Sequence, residues 1–163
     1  MRYLSLLLIL GLSLTSCGGD TAAAEKAAMD AARAAQQTAY DAMMEGHDRV
    51  MPMMGKITAA QRSIKEALKS ADLEESKKDV LDAANEQLED ANDGMMEWMQ
   101  NLKPLDELRE KMDNDAIITY IRDEAGNVAK VESSMNAALG AAANVVEDLE
   151  HSHEDGDQSE HSH

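Results

Sequence analysis

The chain has 163 residues, and 32 acidic against 15 basic side chains give it a formal charge of −17. That excess argues against nucleic acid as a partner, and a single cysteine excludes an internal disulfide and any Cys-based zinc site. Aromatic residues are 2% of the chain and strand formers are sparse, so sandwiches, barrels and α/β folds give way to an all-α protein built on Ala, Glu, Asp, Met, Leu and Lys.

Residues 1–16 read as a lipoprotein signal peptide. Arg2 supplies the positive start, and a short run rich in Leu follows, below the roughly 20 residues a membrane span needs. The run ends in Leu14-Thr15-Ser16-Cys17, which resembles a bacterial lipobox. The resemblance implies cleavage before Cys17 and acylation of its thiol and new amino group. Several acyl chains on one residue anchor a protein stably. Gly18 stands where an Asp would resemble an inner-membrane retention signal, so the outer membrane is favoured.

Residues 17–20 read as a lipidated tether, and a helix is predicted from Thr21 to Ser70. Its seam runs through Met29, Ala32, Gln36, Tyr40, Met43, His47, Val50, Met54, Ile57, Gln61, Ile64 and Leu68, in steps of mostly three and four. The Ala-rich start suits a stalk or a close-packed helix. Pro52 removes a hydrogen bond to Asp48 and predicts a kink, or a split that would make four helices.

Asp72 and Glu75 resemble a capping box for a second helix with the seam Lys77, Leu81, Ala84, Leu88, Ala91, Met95, Trp98 and Leu102. Pro104 ends it or opens a turn, and residues 103–113 read as a loop. Asp113-Asn114-Asp115 can cap a third helix, with the seam Ile118, Ile121, Ala125, Val128, Glu132, Met135, Leu139, Ala142, Val146 and Leu149. Glu132 is the one violation. Residues 21–150 are therefore expected to form an elongated antiparallel three-helix bundle. Residues 151–163 carry no apolar side chain and read as a disordered tail.

Twelve methionines are many for this length. A turn near residue 72 would bring His47 level with Glu97, Met43 level with Asn101, and both Met clusters into one layer with Trp98. A second turn is expected to add Ile117 to it. The segments Gly46-His47-Asp48-Arg49-Val50-Met51-Pro52-Met53-Met54 and Met95-Met96-Glu97-Trp98-Met99 resemble signature stretches of small helical lipoproteins of Bacteroidetes, often labelled "viral A-type inclusion protein". The similarity covers about residues 40–105. It implies a lipoprotein and a helical fold, and no chemistry.

Thioethers and imidazole select Cu(I) over hard cations. His47, Met51 and Met54 share a helical face, Met44 lies on the same side, and Met95 or Met99 could complete a soft site under the Trp98 ring. Core packing is the competing reading, because a bundle without Phe fills its core with Met. The doublets Met43-Met44, Met53-Met54 and Met95-Met96 point about 100° apart, so some thioethers must leave the seam. Exposure of Met44, Met51, Met96 and Met99 discriminates the two readings. In the tail, His151, His153, His161 and His163 among carboxylates suit Zn(II) or Cu(II). No nucleophile elbow or phosphate loop is present, so the expectation is a non-enzymatic envelope lipoprotein that binds or buffers copper or zinc. The alternative is a structural or interaction lipoprotein with an envelope protein partner.

Overall fold

Four helices follow from the apolar spacing and the breaks between them. The computed structural model describes residues 18–70 and 73–154, with side chains over 21–70 and 73–149. The signal segment, Cys17, Asp72 and residues 155–163 lie outside the described residues, and with them the expected lipidation, the Asp72 cap and most of the tail. The elements are α1 (Gly18–Ala67), α2 (Glu75–Asn101), α3 (Leu105–Lys111) and α4 (Asn114–Glu154), with no strand among the described residues. The protein is all-α. Helix α1 begins at Gly18, inside the segment read as tether, and α4 runs to Glu154, into the segment read as tail.

Pro52 does not split α1, which continues through it. Asp48 and Pro52 are both exposed, so the proline ring lies on the side of α1 away from the core. The fourth helix arises elsewhere. Pro104 caps α3, whose two buried residues are Leu105 and Leu108. The stretch read as a loop is thus a short helix, with Asp106 and Glu107 in its first turn and Arg109 and Lys111 in its last, matched to the helix dipole. Asp113 then caps α4 as predicted: its Oδ1 accepts the Ala116 N–H at 2.9 Å. At α2 the capping residue is Glu74, which makes no side-chain cap bond.

From Ala35 onward the described residues form one packed unit. Its core takes Met43, Val50, Met53, Ile57 and Ile64 from α1, Leu81, Leu88, Met95 and Trp98 from α2, and Ile117, Ile121, Val128, Met135 and Leu149 from α4. The predicted seam of α2 is buried from Leu81 to Trp98. In α4 the buried position is Ile117, with Ile118 half-buried beside it. Helices α1 and α2 are antiparallel: Tyr40 Oη donates to the Lys103 carbonyl at 3.2 Å, and His47 meets Trp98. Helices α1 and α4 are parallel, since Gln36 bonds Asn114 at 3.1 Å and Arg49 pairs with Glu132 at 3.9 Å. That pair accounts for the acid in the α4 seam, where Glu132 is only half-buried.

At Gly46 α1 packs closely on α4: a Cβ there would stand 3.1 Å from Val128 Cγ1. Val128, not Ile117, therefore shares the level of His47. The seven residues of α3 carry the chain further before α4 begins, and Ile117 lies about three turns away along α4.

The earlier part of α1 is a separate unit. From Thr21 to Ala35 every residue is exposed except the half-buried Ala32. Met29 is 60% exposed, so it does not extend the seam as expected.

Candidate metal centre

The register between α1 and α2 is set at two points, Tyr40 with Lys103 and His47 with Trp98. The second is one residue from the predicted pairing of His47 with Glu97. The imidazole and indole are stacked, with centroids 5.7 Å apart and planes inclined by 29°. One helical turn on either side of this stack, the same register puts Met44 level with Asn101, two residues from Met99, and Met51 level with Gly94, next to Met95. The α1/α2 hairpin thus gathers the predicted layer.

The layer is not uniform in access to water. Met43, Met53 and Met95 are buried, and Met95 is wholly sealed. Its thioether is core packing, and an incoming ion does not reach it in this packing. Met44, Met54 and Met99 are half-buried against the core. Met51 and Met96 are 36% and 39% exposed. Met96 follows Met95 by about 100° of helix rotation, which turns it from the seam towards the outer edge. The doublet pattern in the sequence pointed to this division. The composition alone did not say which member of each pair would be outside.

His47 is held at this edge with 17% of its side chain exposed. Its Nδ1 lies 2.9 Å from Asp48 Oδ1. With the proton on Nδ1 this bond is made, and Nε2 keeps its lone pair. An imidazole oriented by a carboxylate in this way is a common metal-ligand arrangement. Trp98 is 5% exposed, and its Nε1 is buried without a hydrogen-bond partner. The ring is therefore held by packing and by the stack on His47.

The donor set at this edge is soft, namely one imidazole and the thioethers of Met44, Met51, Met96 and Met99. Among the described residues no group of three His, Cys, Asp or Glu side chains is placed to hold a metal ion. The outer face of α2 is acidic: Asp79, Asp82, Glu86, Glu89, Asp90, Asp93 and Glu97 are all exposed, and no basic residue lies between Asp79 and Asn101. That face raises the local concentration of cations of any kind. For the tail, only the backbone at His151 and His153 is described, as the end of α4, and His161 and His163 lie outside the described residues.

Compared with known proteins, the chain matches no family model, no curated protein and no solved structure.

Proposed function

We propose that this chain is a lipid-anchored, non-enzymatic protein of the bacterial envelope, favouring the outer membrane, that takes up Cu(I) at the His47 edge of α1 and α2. The observation that carries the ion reading is the partly exposed imidazole of His47, oriented by Asp48 and stacked on Trp98, on an edge lined by accessible thioethers. Sulfur and nitrogen donors of this kind suit a soft monovalent ion. The His-rich tail is the separate, harder site for Zn(II) or Cu(II). The anchor rests on the Leu-Thr-Ser-Cys sequence ending at Cys17.

An anaerobic Cu(I) titration of the full chain against a competing chelator tests the reading. His47→Ala with Met51→Leu abolishes Cu(I) uptake, and removal of residues 151–163 abolishes Zn(II) and Cu(II) binding while sparing Cu(I). Met→Leu nearly conserves volume and costs less than about 1.5 kcal/mol. Circular dichroism on each variant separates loss of ligand from loss of fold.

Burial of Met43, Met53 and Met95 favours a second reading, in which the Met layer is packing and the acidic surface docks an envelope partner. Folded wild-type protein that takes up no more Cu(I) than free methionine decides for that reading.

A further inference from the structure

The methionines span a range of access to water, with Met44, Met54 and Met99 half-buried between the extremes. Met43, Met53, Met95 and Met135 are sealed in the core, whereas Met29, Met51, Met96 and Met112 expose 60%, 36%, 39% and 37% of their surface. Two of the four exposed residues, Met51 and Met96, stand on neighbouring helices within about one turn of each other, in the register set by His47 and Trp98. They are the outermost thioethers of the soft edge.

We propose that Met51 and Met96 form a peroxide-modification site, and that their oxidation closes the edge to Cu(I) while leaving the bundle folded. The second half rests on the Cu(I) reading above. A hydroperoxide is the oxidant. A sulfur lone pair attacks one peroxide oxygen, the O–O bond breaks, and that oxygen stays on sulfur as the sulfoxide. The other oxygen leaves as water or an alcohol with the peroxide's proton. Sulfur loses two electrons and the peroxide gains them. The thioether, a soft donor, becomes a polar group whose oxygen is a hard donor, which Cu(I) does not favour. In a core position the same change disrupts packing, but at Met51 and Met96 the new oxygen meets water. Access orders the reaction, so the exposed four are oxidised before the sealed four.

The test treats the full-length protein in detergent with hydrogen peroxide, maps sulfoxides by peptide mass, and follows fold by circular dichroism and Cu(I) uptake by chelator competition. The expected result is sulfoxide at Met51 and Met96 ahead of Met43, Met95 and Met135, unchanged helicity, and loss of Cu(I) uptake. A Met29→Leu, Met112→Leu variant loses uptake as the wild type does. In a Met51→Leu, Met96→Leu variant, peroxide leaves the remaining uptake unchanged. Equal oxidation of core and edge methionines in folded protein overturns the site. Uptake that survives both sulfoxides overturns the switch alone. Absence of uptake by untreated protein overturns the Cu(I) reading and the switch with it, and leaves the oxidation map to decide the modification site.

Discussion

Gln36 is the one buried polar side chain among the described residues, and it joins three helices. Its Oε1 accepts from Arg109 Nε of α3 at 3.0 Å, and its Nε2 donates to Asn114 Oδ1 of α4 at 3.1 Å. Gln36→Ala removes both bonds, one of them to a charged group, and urea unfolding is expected to show a loss of about 1–3 kcal/mol. One turn away, two tyrosines clamp the backbone of Lys103: Tyr40 Oη donates to its carbonyl, and its N–H donates to Tyr120 Oη at 2.9 Å. Burial, and then their mutual repulsion once ionised, push the Tyr40 phenol above its ordinary 10.0. Burial pushes Tyr120 up as well, assisted by Glu124 and Glu107 and opposed by the bond from Lys103. The unfolded chain thus releases these protons first as pH rises. The contribution to stability is whole below about pH 10 and is lost as pH climbs through the raised values. Urea midpoints measured from pH 8 to 11 check this sign, and Tyr40→Phe with Tyr120→Phe flattens the upper end. At the candidate metal centre, Asp48→Asn is expected to lower Cu(I) affinity by about 10–100-fold. It leaves stability nearly unchanged, because Asp48 is exposed.

At the scale of the elements, α4 carries glycines in exposed positions where a methyl meets nothing: Gly126 and Gly140 have no atom within 4 Å of a Cβ. Changing either to Ala raises stability by about 0.5–1 kcal/mol, read as a later urea midpoint, because helix entropy is the only term that changes. Gly46→Val does the opposite, by about 1–3 kcal/mol, since its methyls collide with Val128 where α1 and α4 meet. Leu88→Asp puts an unpaired charge into the sealed face of α2 and costs about 3–5 kcal/mol. The α2 seam was legible in the sequence because every position from Leu81 to Trp98 falls on a helical step with an apolar side chain. The hairpin register was legible to within a residue for the same reason, as one turn centre fixes all facing positions. Helix α3 was not legible: a helix of seven residues is too short for periodicity to declare itself. Missing it displaced α4 by three turns and put Ile117 at a level that Val128 holds. Of the two expectations at Pro52, the split does not occur and α1 stays one helix; periodicity does not choose between them, because the seam runs in the same steps on both sides of the proline.

At the scale of the molecule, the anchored form makes the simplest prediction. Membrane-extracted protein analysed by mass spectrometry should begin at Cys17 and carry acyl mass, and an intact Met1 terminus would refute the anchor. The charge also has a consequence for the whole chain. With −17 overall and α2 free of bases from Asp79 to its end, self-repulsion opposes close association of copies at low salt.

Trp98 is the only tryptophan, and it sits in the stack that closes α1 on α2. The protein thus carries one indole, which can be excited apart from its three tyrosines, at the junction between α1 and α2. Its emission should be blue-shifted in the native state, since the ring is shielded from water, and should move to the red only when α1 parts from α2. Ellipticity counts every helical residue, including the exposed turns from Thr21 to Ala35. On heating, ellipticity should therefore slope downward before the emission moves, as those turns fray, and the two signals should then fall together when the bundle opens. Light absorbed by a single side chain in this way separates the melting of the packed unit from the fraying of the helix that precedes it.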